Sequence, residues 1–244
     1  MLLPFALFAF WMAAPPQPIS VTPLEGTTHH VQGIVVDGPS LWVTSVDRLA
    51  KKGFLYEYER ATGKRLRSVE VQQGSMFHPG GFDMDDDSLW IPVAEYKPHG
   101  RTVIQRRSKQ TLEVLSSFTV DDHIGCLTLI EGHLIGGNWD ARKFYEWTFE
   151  GRFLSVRDNP NASHYQEIKY RYGALMASGG VVHWLDPEEL EPLRTYTLGR
   201  TDRNVPYTNE GMDFRDGKLY LLPEDSPSRL FVFDPELVYE PAHP

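Results

Sequence analysis

Short apolar runs alternate with turns along the whole chain, and no long window shows the 3.6-residue period of a helix. Five of these runs open with leucine and a second apolar residue, at Leu41, Leu89, Leu134, Leu175 and Leu219. Each is followed by a run rich in aromatic or β-branched residues, which suits a half-buried strand. Turn residues are abundant, with 20 Gly and 18 Pro. The pattern predicts an all-β chain.

A short segment recurs in front of each pair of strands. Its five copies begin at His30, His78, His123, His164 and Thr208, which are 41 to 48 residues apart. A period of this length is typical of stacked supersecondary units. Four units continue into a fourth strand, whereas the chain ends soon after the third strand of the fifth. We therefore predict a single five-bladed β-propeller of four-stranded antiparallel blades over residues 18–244, whose last blade is closed by an N-terminal strand at residues 19–24.

Residues 1–17 have a different composition. Residues 2–14 are almost wholly apolar, too few for a membrane span of about 20 residues but enough for the core of a secretory signal. We expect a signal peptide over residues 1–17, a secreted or periplasmic protein, and no stable membrane span once the signal is removed. No Lys or Arg precedes the apolar run and Pro15 and Pro16 follow it, so an uncleaved anchor or a different start site stays open.

Charge and cysteine content narrow the classes of partner. The net charge of −9 leaves no basic stripe for phosphates, which argues against nucleic acid and anionic membranes. The lone Cys126 cannot form an internal disulfide and is expected to be a small buried hydrophobe.

Trp42 and Trp90 occupy equivalent strand positions and are predicted to pack between blades. The acidic run at residues 83–87 is predicted to be a solvated turn. A monomer is favoured.

The predicted topology brings polar side chains to one face. In an antiparallel blade the start of the first strand lies beside the end of the second, so the opening residues approach the carboxylates that follow the second strands. Candidate acid–base residues are His30, His78, His123, His164, Glu167 and Glu210. Loops on this face also carry Tyr96 among other aromatic and charged residues. Imidazoles and carboxylates that converge on a channel mouth indicate an enzyme or binding protein for a small polar molecule.

Further residues of the same face are candidate substrate contacts. They are Gln32, Asp47, Arg48, Glu95, Asn138, Trp139, Asp140, Arg142, Gln166, Asn209 and Glu224. Arginines beside aromatic and acidic residues suit a polar or anionic ligand. A cofactor is not specified, although His30, His78 and His123 could together hold a divalent metal such as Zn, Fe or Mn.

Two other interpretations remain open. The histidines could instead be structural, each bonding the carboxylate of its own blade, with the predicted pairs His30–Asp47, His78–Glu95 and His123–Asp140. Breaks in blades four and five favour a site that faces an asymmetric ligand. The second alternative is a non-catalytic interaction platform, which predicts exposed aromatic residues clustered away from the histidines. Glycines in the openings are expected where inner strands approach closely, at Gly33, Gly80, Gly81, Gly125 and Gly211.

Two of the openings carry a family resemblance. His30-Val-Gln-Gly-Ile34 and Tyr165-Gln-Glu-Ile-Lys-Tyr170 resemble segments of the plant- and bacterial-type glutamine cyclotransferases, which are five-bladed propellers. That family carries a blade-two glutamate where this chain has Gly80, and a blade-three tryptophan where it has Gly125. Glutaminyl cyclisation would therefore need Glu167 or Glu210 in place of the missing glutamate.

A second resemblance is to an uncharacterised group of exported propeller proteins. It rests on Ser45-Val-Asp-Arg48, Gly137-Asn-Trp-Asp-Ala-Arg142 and Thr208-Asn-Glu-Gly211. This resemblance implies a fold and no known reaction.

Overall fold

The computed structural model describes residues 16–235, which form five antiparallel sheets around one axis. One strand, β1 (Ser20–Pro23), precedes the first blade. Blade one contains β2 (His30–Asp37), β3 (Ser40–Asp47), β4 (Lys52–Glu59) and β5 (Arg65–Glu70). Blade two contains β6 (Met76–Pro79), β7 (Asp83–Met84), β8 (Ser88–Glu95), β9 (Thr102–Ser108) and β10 (Val114–Val120). Blade three contains β11 (Ile124–Ile130), β12 (His133–Asn138), β13 (Lys143–Trp147) and β14 (Phe153–Asp158), with a 3₁₀ turn at Trp139–Ala141. Blade four contains β15 (Glu167–Arg171), β16 (Ala174–Gly179), β17 (Val181–Leu185) and β18 (Pro192–Tyr196), and blade five contains β19 (Gly211–Arg215), β20 (Lys218–Leu222) and β21 (Arg229–Phe233).

The N-terminal strand closes the ring as predicted. Strand β1 pairs antiparallel with β21, with Ser20 opposite Val232 and Pro23 opposite Arg229. It supplies the fourth strand of blade five and covers the edge that β21 would otherwise expose. The five-bladed propeller and its closure are confirmed. The predicted signal segment falls almost entirely outside the described residues and stays a prediction.

Close approach of the inner strands explains two of the glycines. A Cβ on Gly80 would lie 2.0 Å from the carbonyl oxygen of Gly125, and one on Gly33 would lie 2.7 Å from the Cα of Gly81. Gly80 also falls in the gap between β6 and β7, where the inner strand of blade two is interrupted. Gly125 differs, because its nearest neighbour would be 3.6 Å from an added Cβ.

Apolar side chains fill the spaces between blades. Trp42 of blade one packs in a cluster with Leu89 and Ile91 of blade two, and Trp90 packs with Ile124 of blade three. Both predictions for these tryptophans are confirmed. Cys126 is wholly buried between blades three and four, as expected for a small hydrophobe, and burial raises the pKa of its thiol to about 12. Within residues 16–235, no helix has the length and apolar character needed to cross a membrane.

Three charged side chains of one strand fill the axis. Glu167, Lys169 and Arg171 are alternate residues of β15, so they share the face that points inward. The Glu167 carboxylate accepts hydrogen bonds from the backbone N–H of Ile34 (2.9 Å) and Met212 (3.2 Å) and also binds the Lys169 ammonium. The same carboxylate also accepts a hydrogen bond from the backbone N–H of Phe82 in blade two, at 3.1 Å. Blade four thus ties together the inner strands of blades one, two and five.

A second ionic layer lies next to the first. Arg171 donates to Asp83 at 2.8 Å and to Asp213 at 3.1 Å, and all three side chains are buried. Burial by itself would raise the pKa of Asp83, but the Arg171 guanidinium holds it well below its usual range. The prediction of a solvated acidic turn is wrong for Asp83, because this side chain faces the axis. It holds for Asp86 and Asp87, which are exposed. We call these two layers the axial plug.

Candidate functional site

A cavity of about 240 Å³, here called the cup, opens on the face where the inner strands begin. The axial plug lies beneath it, since Glu167 binds the backbone just beyond the residues that line the cup. All five blades contribute to its lining, through His30, Gln32, Arg48, His78, Tyr96, His123, Gly125, Trp139, Asp140, Tyr165, Gln166, Glu210 and Glu224. Ten of these residues are among the predicted acid–base and substrate-binding candidates. The convergence of predicted residues in one cavity makes the cup the candidate site.

Histidines at the mouth contact carboxylates of the preceding blade. The Nδ1 of His30 lies 2.8 Å from Glu224 of blade five, and the Nδ1 of His164 lies 3.1 Å from Asp140 of blade three. The predicted pairing within each blade is wrong in its partners. The inner strands pair with the second strands of their own blades. The side chains of the opening histidines nevertheless reach the end of the second strand in the preceding blade, a stagger that the repeat period does not encode.

His123 follows the same rule through the backbone. Its Nδ1 donates to the carbonyl oxygen of Glu95 in blade two at 2.8 Å. Because a carbonyl can only accept, this bond places the proton on Nδ1 and leaves Nε2 as an acceptor. Burial lowers the pKa of His123, so the ring is neutral.

His78 is the exception among the opening histidines. Its ring packs against Tyr96 (centroids 4.4 Å apart) and against His123 (5.2 Å), and the residue is only 8% exposed. Its Nδ1 has no hydrogen-bond partner among residues 16–235. Burial holds the pKa of His78 well below its usual value. A neutral, buried imidazole with an unused nitrogen on a cavity wall is available to a ligand.

Aromatic rings form one wall of the cup. His123 contacts Trp139 edge-on at 4.5 Å between centroids, and Tyr96 lies 6.2 Å from Trp139. Tyr165 also lines the cup, and its hydroxyl bonds Nδ1 of His183 at 2.7 Å. Tyr165 was not predicted as a contact. Its position directly after the opening residue His164 was the available signal, because that position enters the inner strand.

The opposite wall brings one imidazole and two carboxyl groups together. Ligand atoms of His30, Glu210 and Glu224 all lie within 4.8 Å of one another, a spacing that could hold a divalent cation. The predicted metal set combined His30 with His78 and His123. Instead, the structure groups His30 with the two carboxyl groups.

Glu210 is a carboxyl group of the cup with a strongly raised pKa. Burial raises its pKa to about 8, with a further contribution from the nearby Glu224 charge and opposition from Arg48. Its backbone is left-handed, at φ 77°, which is uncommon for a residue other than glycine. Burial also lowers the pKa of His30, although Glu224 opposes that shift. At neutral pH the cup therefore holds a protonated carboxyl beside a neutral imidazole.

Several predicted contacts shape the loops instead of lining the cup. The Asp47 carboxylate accepts from the N–H of Leu49 and of Ala50, each at 3.0 Å. Glu95 accepts from Ser75 at 2.8 Å and, within the turn that follows β8, from the N–H of Arg101 at 3.1 Å. These carboxylates order the turns after the second strands of blades one and two.

The polar residues of blade three act in the same way. The side chain of Asn138 accepts from the N–H of Lys143 at 2.8 Å, and Arg142 donates to the carbonyl of Asn161 at 3.0 Å. His164 and Asn209 line a neighbouring cavity of about 380 Å³, and Gln166 and Glu210 line both this cavity and the cup. Glu167, a predicted acid–base residue, is fully buried in the axial plug, where burial raises its pKa to about 7 against the effect of Lys169.

Exposed aromatic residues do not gather into a second surface in the described part of the chain. The large exposed ones there are Phe153 and Tyr172, which lie in the outer strand of blade three and a turn of blade four. The aromatic residues on the face that bears the cup lie beside the histidines. This distribution does not favour an interaction platform.

Comparisons with known proteins agree on the architecture. The crystal structure of Myxococcus xanthus glutaminyl cyclase is similar with a TM-score of 0.69 at 14% identity, covering 90% of this chain and 97% of that one. The WD40 repeats of RRP9 are similar with a TM-score of 0.51 at 14% identity, covering 86% and 62%. At these identities the likeness shows the propeller fold alone. No curated protein sequence matches. A family model described as "Family of unknown function (DUF6454)" matches residues 16–162.

Proposed function

We propose, for a chain that belongs to the DUF6454 family of unknown function, that the cup binds a small polar molecule and exchanges a proton with it through Glu210. The observation that carries the proposal is a carboxyl group with a pKa of about 8 in the wall of the cup. A general acid works best when its pKa lies near the ambient pH. Strongly shifted carboxyl groups in clefts are typical of catalytic acids and bases.

The two carboxyl groups that lie near His30 have different surroundings, and this supports different roles. The Glu210 side chain is half-buried, whereas the Glu224 side chain is 51% exposed and lies beside His30. Glu210 would donate a proton to the bound molecule, and Glu224 with His30 would accept one on the same side. His123 adds a neutral acceptor nitrogen on the aromatic wall.

Backbone geometry at Glu210 supports a positioned side chain. Its left-handed φ costs conformational energy for a residue with a Cβ, and such strain is concentrated at functional sites. The Glu210 carbonyl accepts from the Ser178 hydroxyl at 3.2 Å, and Gly211 begins β19 directly after it. The conformation is therefore held by neighbours on both sides.

Glutaminyl cyclisation is one reaction that fits this acid–base arrangement. The fold likeness to a glutaminyl cyclase supports it. Gly80 has no room for the glutamate of that family, since even a Cβ would overlap the Gly125 carbonyl. Glu210 would then transfer the proton to the departing ammonia, and ammonia release from a peptide with N-terminal glutamine is the direct assay.

The protonation state of Glu210 tests the proposal. Infrared difference spectra between about pH 6 and about pH 10 report protonated carboxyl groups directly. We expect a band that titrates near pH 8 in the wild type, disappears in Glu210→Gln and persists in the control Glu189→Gln, whose residue is an exposed turn residue outside the cup.

Two results would contradict the proposal. The first is a Glu210 carboxyl that is already ionised at about pH 6. The second is a stoichiometric divalent metal in the purified protein that is lost in Glu210→Gln, because a bound cation would keep the carboxyl ionised. Elemental analysis of protein prepared without a His-tag or chelator measures the second.

A further inference from the structure

Arg48 stands at the mouth of the cup on a turn of defined shape. The turn joins β3 to β4, and Asp47 caps it by accepting from the N–H groups of Leu49 and Ala50. The Arg48 guanidinium lies over the Tyr96 ring, 5.4 Å from its centroid. A cation–π contact of this kind orients the guanidinium while leaving its N–H groups available.

The positive charge of Arg48 has no close anionic partner. Among residues 16–235, no carboxylate oxygen lies within 4.0 Å of its guanidinium nitrogens. Its charge acts on the Glu210 carboxyl of the cup, whose pKa it lowers against the effect of burial. The carboxylates of Glu224 and Asp140 at the mouth have histidine partners at 2.8 Å and 3.1 Å. An arginine presented in this way is suited to bind an oxyanion with two N–H groups at once.

The adjoining wall is suited to a flat group. Tyr96, His78, His123 and Trp139 form a continuous series of rings with centroid separations of 4.4, 5.2 and 4.5 Å. His78 adds an unpartnered Nδ1 in the same wall. Planar groups pack well on aromatic faces and edges, while a single polar atom fixes their orientation.

We propose that the ligand of the cup is a small planar molecule with a carboxylate group, whose carboxylate binds Arg48 and whose planar part packs on the rings of Tyr96, His78, His123 and Trp139. This inference rests on the proposed function and names its substrate class. The cup of about 240 Å³ has room for a molecule of about the size of one ring with a short substituent. Glu210 lines the same cup, where it meets the remaining polar group of the ligand.

Three probes of the same shape separate charge from size. Benzoate, benzamide and benzamidine are planar and nearly isosteric, but they are anionic, neutral and cationic. We expect ligand-observed NMR or calorimetry to rank benzoate first, and Arg48→Gln to weaken benzoate about tenfold with little effect on benzamide. Arg200→Gln is the matched control, because Arg200 is an exposed arginine of a loop that does not line the cup. Trp139→Ala should weaken all three probes, which places them in the cup.

Each other outcome counts against the inference in a distinct way. Benzamidine binding more tightly than benzoate, with the sensitivity to Trp139→Ala retained, overturns the anionic ligand and leaves a small-molecule cup in place. Equal loss of benzoate in Arg48→Gln and Arg200→Gln assigns the effect to overall charge and overturns the role of Arg48. Binding of no probe at about 10 mM overturns both the inference and the proposed function.

Discussion

At the scale of single residues, Glu210 combines a raised pKa with a left-handed backbone in the wall of the cup. A raised pKa alone, or a left-handed backbone alone, is also found at residues with a purely structural role. Together they describe a carboxyl that the fold holds in one orientation and keeps protonated at neutral pH. The neighbouring carboxylate of Glu224, which contributes to that shift, ties its acidity to a second residue of the same site.

The raised pKa has a consequence for stability. A folded-state pKa of about 8, above the ordinary 4.5, means that the folded protein keeps a proton which the unfolded chain releases earlier. The free energy of unfolding should therefore fall as pH rises from about 4.5 to about 8. Glu210→Gln, which cannot ionise, should flatten this fall. Urea denaturation at a series of pH values measures it.

Comparison of the pH profiles of Glu210→Gln and the wild type separates the contribution of Glu210 from that of other titrating groups. Glu167 shifts in the same direction, with a pKa of about 7, and is present in both proteins. An unchanged pH profile in Glu210→Gln would contradict the buried, protonated carboxyl.

At this scale, the sequence does not predict which residues the histidines at the mouth of the cup contact. The recurring histidines identified the residues that line the cup, including His30, His78 and His123. They did not identify the carboxylates that contact them. Partners lie in the adjoining blade, and the stagger between blades depends on packing, which a period along the chain does not specify.

At the scale of elements, the strands followed the hydrophobic pattern closely. The five Leu-led runs became the second strands β3, β8, β12, β16 and β20, and the N-terminal run became the closing strand β1. The inner strand of blade four was less well understood. Its charges at alternate positions from Glu167 to Arg171 were attributed in part to the site, although this alternation indicates a strand face turned toward a shared polar interior.

The interrupted inner strand of blade two allows a matched test of close packing. A Cβ at residue 80 would overlap a carbonyl oxygen at 2.0 Å, whereas one at residue 125 would have ordinary contacts from 3.6 Å. We expect Gly80→Ala to reduce the free energy of unfolding by about 2 kcal/mol or more and Gly125→Ala to change it by less than about 1 kcal/mol. Chemical denaturation of both variants measures the difference. Equal effects would show that the inner strands separate easily.

At the scale of the whole molecule, the axial plug joins the blades through charge. Arg171 of blade four binds Asp83 of blade two and Asp213 of blade five, and Asp213 also accepts from the N–H of Val36 in blade one at 2.9 Å. Buried ions of this kind are stable only while every partner is present. The ring is therefore held at its centre by a network that no single blade could form.

Removal of the central cation should destabilise the entire ring. Arg171→Met removes the guanidinium that binds the buried carboxylates of Asp83 and Asp213 and leaves Asp213 only the more distant Arg215, at 3.7 Å. We expect a loss of about 3–5 kcal/mol in the free energy of unfolding. Arg152→Met, at an exposed residue of blade three, is the control. Addition of Asp83→Asn to Arg171→Met should restore part of the loss. Full stability of Arg171→Met would show that the plug carries little energy.

The axial plug also decides how molecules can travel through this propeller. Glu167 and Lys169 fill the axis beneath the cup. Small molecules therefore enter and leave the cup through the same opening, at its mouth. A polymer cannot thread through the ring, so only free molecules or chain ends can reach Glu210. Under the proposed function, each product must leave by the route that the next substrate takes, and accumulated product should compete directly with substrate for entry.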